Sequence, residues 1–127
     1  MKQEGIETNF TLSNNLHKIK FYNTISTSNK INGDPQLNRP DSTYGIMYEA
    51  NLNKTIFGPL SINYNYKHYG KSFDYAPSIT KVDSTDLMDF TLSKKLNIGS
   101  LSITLTNLLD ENYQRPHGYT QDDRKVK

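Results

Sequence analysis

Chemistry in this chain would have to come from three histidines, His17, His68 and His117, and from a few acidic residues. None of the histidines has a partner at the four-residue spacing of a helical metal pair or at the spacings of zinc motifs. There is no cysteine, so thiolate metal sites and disulfides are excluded. His17 falls at a turn and is expected to be solvent-exposed. His68 falls near the end of a strand, and His117 falls in the last loop. Asp110-Glu111 and Asp122-Asp123 are carboxylate pairs of a type that can bind ions or contact a ligand, but adjacent acids in loops are ordinarily solvated. Asp86 and Asp89 are more informative, because an aspartate inside a strand is unfavourable unless it faces water. There is no Gly-rich phosphate loop, nucleophile elbow or zinc helix. These residues describe no enzyme, and they call for no cofactor and no metal.

The elements that position them are strands. Ile6, Phe10 and Leu12 alternate with Glu7, Asn9 and Thr11, and Ser13-Asn14-Asn15 breaks the pattern. Ile19, Phe21 and Ile25 then oppose Lys18, Lys20, Tyr22 and Thr24. Asn29 to Pro40, with Asn32-Gly33-Asp34-Pro35 and Arg39-Pro40, reads as a long loop. Tyr44, Ile46, Tyr48, Ala50 and Leu52 form a third apolar face. Asn53-Lys54 and Phe57-Gly58-Pro59 make a turn into Leu60, Ile62, Tyr64 and Tyr66, which oppose Ser61, Asn63, Asn65 and Lys67. A second long loop is expected from Asp74 to Ser84. Met88, Phe90 and Leu92, then Leu101, Ile103 and Leu105 across Asn97-Ile98-Gly99, complete the set.

The expected fold is therefore all-β, an antiparallel up-and-down meander of about six long strands. Its turns alternate short and long, the habit of outer-membrane barrels. Of the 127 residues, 34% are hydrophobic, and the mean hydropathy is −0.75. That is low for a closed core. Disorder and a barrel wall both tolerate such a deficit, but nine Tyr and five Phe speak against disorder. The net charge is +2 and interspersed. Arg124, Lys125 and Lys127 read as a solvated tail, and no basic stripe marks a nucleic-acid partner. Asn9-Phe10-Thr11 and Asn53-Lys54-Thr55 fit the glycosylation pattern, which is short enough to arise by chance. Met1-Lys2-Gln3-Glu4 lacks a signal-peptide core, so an exported protein would have its signal upstream.

The polar faces hold mainly Ser, Thr, Asn and Tyr, and the apolar faces quoted above carry no Lys, Arg, Asp or Glu. Lipid on one side and water on the other would produce that pattern. The order of short motifs agrees. Asn107-Leu108-Leu109-Asp110-Glu111-Asn112-Tyr113, followed by Gly118-Tyr119, resembles the C-terminal barrel strands of TonB-dependent outer-membrane receptors. Gly5-Ile6-Glu7, Arg39-Pro40, Tyr64-x-Tyr66-x-x-Tyr69-Gly70 and Asp86-Leu87 resemble earlier pieces of the same wall. Leu109 stands where the family has Phe.

The resemblance implies a fragment of a large transmembrane β-barrel, spanning residues 1–127 and lacking the plug domain and the final strand. It implies uptake of a scarce ligand, such as an iron–siderophore or cobalamin, in the bacterial outer membrane. The partners would be the lipid bilayer, the plug domain of the same full-length protein, and a TonB complex reached through the absent N-terminal part. His68 would sit in a girdle or at the rim. Asp89 would point into the lumen and meet a lysine or the plug. Ligand contacts would come from Asn29–Pro40, Asp74–Ser84 and Arg115–Lys127, with Arg39, Tyr75 and Arg115 placed for them; the ligand-binding residues themselves are unknown from sequence. The alternatives are a soluble β-sandwich that binds carbohydrate through exposed tyrosines, and a passive porin-like or adhesin barrel.

Overall fold

The computed structural model describes residues 2–29, 39–75, 79–112 and 125–126. The described residues form no helix. Their strands are β1 (Lys2–Ser13), β2 (His17–Asn29), β3 (Ser42–Leu52), β4 (Leu60–Tyr69), β5 (Ser72–Tyr75), β6 (Ile79–Val82), β7 (Thr85–Leu96), β8 (Gly99–Thr106) and β9 (Lys125–Val126). One antiparallel sheet has the order β1-β2-β3-β4-β7-β8-β9, and β5-β6 is a separate two-stranded hairpin. The sheet is open, with β1 and β9 at its edges. The fold is thus the all-β meander expected from the period-2 alternation, with all six long strands in place.

Local chemistry explains the tight turns. The Asn14 side-chain oxygen accepts the backbone N–H groups of Leu16 and His17 at 2.9 and 2.8 Å, closing the β1–β2 hairpin. Between β3 and β4, the Gly58 N–H donates to the Thr55 carbonyl at 3.0 Å, with Gly58 at φ 85°. That left-handed value suits glycine.

Two expectations are corrected. The stretch from Asp74 to Ser84 is not all loop, because Ser72–Tyr75 pairs with Ile79–Val82. Serine, threonine and charged residues dilute the alternation there, so the short strands leave little periodic signal. Lys125, read as part of a solvated tail, lies in β9 opposite Thr106. A two-residue strand is too short to alternate visibly.

The register fixes the inclination of the strands. Ser13 ends β1 in the row of Lys18 and Glu49. Leu96 ends β7 two residues beyond Lys94, which shares a row with Leu60 and Leu52. The strand ends therefore drift by about five residues over four strand spacings. With a rise of ~3.3 Å and a spacing of ~4.8 Å, that slope is about 40°. Strands of closed barrels tilt by a similar amount.

Candidate functional site

The register assembles one broad apolar surface. Leu12, Ile19, Tyr48, Tyr64, Phe90, Leu105 and Val126 form a single row across the sheet. Phe10, Phe21, Ile46, Tyr66 and Met88 form the next. Nothing among the described residues covers this face. Phe10 is 60% exposed, Leu101 58% and Ile103 48%, and Ala50 is the one buried hydrophobic residue of the described set.

The face is bounded by polar groups at both ends. Toward the long loops, Tyr44, His68 and Asp86 share a row. The Tyr66 hydroxyl donates to Asp86 Oδ1 at 2.6 Å, and His68 Nδ1 lies 2.7 Å from the same oxygen. Tyr44 stacks on His68 with ring centroids 4.5 Å apart. Asp86 is thereby satisfied at the rim of an apolar surface. Toward the tight turns, Lys94 sits between Leu60 and Leu101. Both Asp86 and Lys94 continue the parity of Met88, Phe90 and Leu92, so the apolar face carries charge at its margins. From Asp86 to Lys94 is ~26 Å along the strand, or ~20 Å through a slab crossed at about 40°.

The opposite face is polar. Lys18 and Glu49 approach to 3.9 Å, Ser61 Oγ donates to Asn51 Oδ1 at 2.9 Å, and Thr91 and Thr104 hydroxyls meet at 3.1 Å. Glu49, Asn51, Ser61, Asn63, Thr91 and Ser93 line a shallow hollow on it. Tyr22 lies over Gly45, its direct partner on β3.

The segment that carries the strongest part of the resemblance is a compact loop. Asn107 and Asp110 both have positive φ, 49° and 60°, a region Asn and Asp enter more readily than most side chains. The Asp110 N–H donates to the Asn107 carbonyl at 2.9 Å. The Asn107 amide then grips Glu111 twice: Nδ2 donates to its carbonyl at 3.0 Å, and Oδ1 accepts its N–H at 3.1 Å. The Asn107 N–H itself donates to Asp89 Oδ1 at 3.0 Å. Among the described residues, the carboxylate expected to meet a lysine or a plug holds the end of β8. Only the register, which sets β8 beside β7, brings those two residues together, and sequence offers no signal for it.

Among the other candidates, His17 opens β2 rather than lying free in a turn. It is half-buried, with Nδ1 2.9 Å from the Tyr48 hydroxyl and its ring stacked on Tyr48 at 6.0 Å. His68 stands at the long-loop end of β4. Arg39 is half-buried just before β3, and Tyr75 closes β5. Tyr113, Arg115, His117, Gly118, Tyr119, Asp122, Asp123, Arg124 and Lys127 lie outside the described residues. No group of three or more metal-ligating side chains converges among the described residues. No protein-family model matches the chain, and no curated protein matches it in sequence.

Proposed function

We propose that the chain is wall of an outer-membrane β-barrel receptor, of the type that draws in a scarce ligand such as an iron–siderophore or cobalamin with energy from a TonB complex. The observation that carries the membrane part is the uncovered apolar face, free of charge between Asp86 and Lys94. A lysine or arginine on a lipid-facing surface costs ~2–4 kcal/mol at mid-depth but only ~0–1 near the interfaces. Both charges on β7 stand where that cost is small. The ~20 Å between them, from strand rise and tilt, approaches the ~25 Å apolar band of such barrels. Tyr44, Tyr66 and His68 supply amphipathic rings at one margin, where a ring is half in lipid and its polar atom stays wet.

The receptor part rests on Asn107 to Tyr113 and Gly118-Tyr119. In this reading the wall strands do no chemistry. They satisfy backbone groups away from lipid, turn the Ser, Thr and Asn face toward a lumen and its plug, and hold the long loops over the ligand path. The open edges of β1 and β9 are where further wall would pair, since no lipid-exposed edge is tolerated.

The test is the environment of the two faces. In detergent micelles, acyl-chain protons should give NMR contacts to Ile46, Phe90 and Leu92, and none to Asn63, Thr91 or Thr104. A cooperative, monomeric fold in water without detergent would overturn the membrane reading. Loss of siderophore- or cobalamin-dependent growth when the parent gene is deleted tests the uptake reading separately.

A further inference from the structure

The tight-turn end of the apolar face holds a feature that wall-building alone does not require. Phe57, Leu60, Leu92, Lys94, Leu101 and Ile103 line an apolar hollow of about 230 Å³, in which Lys94 is the sole charged side chain. Phe57 comes from the β3–β4 turn and folds to the edge of the face. Lys94 makes no ion pair among the described residues, and its row neighbours are Leu60 and Leu101. Lys95 follows on the same strand, and Lys54 lies in the same turn as Phe57, both exposed. The turn segments 14–16, 53–59 and 97–98 contain no acid. Their tips are apolar and open, with Ile56 93% and Ile98 99% exposed.

We propose that this hollow is a seat for one anionic phospholipid, its acyl chain lying against Phe57, Leu92 and Ile103 and its phosphate meeting the Lys94 ammonium. The inference rests on the membrane reading above and adds a headgroup preference to it. Two physical facts select the occupant. The hollow offers no hydrogen-bonding group besides Lys94, so a polar solute gains nothing in it. An unpaired ammonium at the edge of hydrocarbon gains from an anionic headgroup, and adjacent Lys95 and Lys54 strengthen the local field. A zwitterionic lipid fills the hollow equally well but cancels much of that attraction.

The chain has no tryptophan, so Phe57→Trp places a single fluorescent reporter at the hollow. The full chain carrying Phe57→Trp is reconstituted in bilayers that contain brominated phosphatidylglycerol or brominated phosphatidylcholine at equal mole fraction. The expected result is quenching by both, with about a fivefold preference for phosphatidylglycerol, the worth of one lysine near an anionic surface. Adding Lys94→Gln should remove most of that preference, leaving the smaller part that Lys95 and Lys54 supply, while Lys71→Gln, at the long-loop end, should change nothing. Equal quenching by the two lipids without Lys94→Gln overturns this inference alone. A preference undiminished by Lys94→Gln also overturns it. Absence of quenching by either lipid overturns the membrane reading and this inference with it. Leu96→Trp, in the same region but outside the hollow, serves as the reporter if Phe57→Trp does not fold.

Discussion

Asp89 on β7 and Asn107 at the end of β8 are joined by a 3.0 Å hydrogen bond in which the Asn107 amide N–H donates to the carboxylate. The bond ties a strand interior to the loop that follows the neighbouring strand. Asp89→Ala leaves that half-buried N–H unmet, and such a loss costs about 1–3 kcal/mol. The expected outcome is a lower unfolding midpoint in urea, with hydrogen exchange quickened first at Asn107 and Leu108. Unchanged exchange at both amides would rule out the role assigned to Asp89.

Asn107 itself is legible in three variants. Asn107→Ala loses both contacts to Glu111 and must hold φ 49° with an ordinary side chain, for about 2–3 kcal/mol. Asn107→Gly relieves the backbone but not the lost bonds, and Asn107→Asp keeps the acceptor and loses the donor. Both should therefore fall between wild type and Asn107→Ala in urea unfolding. If Asn107→Gly matched wild type, the side-chain grip would be irrelevant.

The strands are legible because apolar residues recur every second position, without a break from Leu60 to Tyr66 and with only Thr8 interrupting Ile6 to Leu12. The six long elements follow from that alone. What sequence withheld was pairing. Asp86 looked like a water-facing strand residue, yet β4 places Tyr66 and His68 against it. Lys94 keeps the parity of Leu92, but a charged residue ends the visible alternation, and only the pairing with Leu60 and Leu101 assigns it to the apolar face. His17 looked like a turn residue because its partner, Tyr48, is 31 positions away. The Asn-Leu-Leu-Asp-Glu segment was legible as a motif; its physical reason, two left-handed residues closed by one amide, appears only in three dimensions.

Tyr66 and Asp86 should be energetically coupled. Tyr66→Phe removes the 2.6 Å bond and leaves His68 as the partner of the carboxylate. A hydrogen bond to a charged acceptor is worth about 1.5–3 kcal/mol. A double-mutant cycle with Asp86→Asn should return a coupling of at least ~0.5 kcal/mol, as contacting residues do. Strict additivity would mean that the pair contributes nothing.

Gly45 is expected to resist enlargement. A Cβ there would meet the Tyr22 ring and approach the Tyr66 carbonyl oxygen to 2.6 Å. The ring can swing aside, but the carbonyl belongs to the β3–β4 ladder and cannot. Gly45→Ala should cost about 1–3 kcal/mol, the usual range for forced overpacking. Adding Tyr22→Ala should recover little of it. Full recovery would show that the ring, and not the backbone, sets the limit.

Charge placed at three positions separates lipid from water as the solvent of the apolar face. Phe90 lies in the central row, Leu101 lies two rows nearer the tight turns beside Lys94, and Asn63 lies on the polar face. If hydrocarbon covers the first face, Phe90→Lys should cost ~2–4 kcal/mol and Leu101→Lys only ~0–1 kcal/mol, because a long side chain near the interface can reach water. Asn63→Lys should have little effect. The ordering is measured by urea unfolding of the chain in lipid vesicles. A soluble sheet would give a different order, set by packing losses and not by depth. Comparable costs at Phe90 and Leu101, which are both apolar and on one face, would remove the depth dependence on which the membrane reading stands.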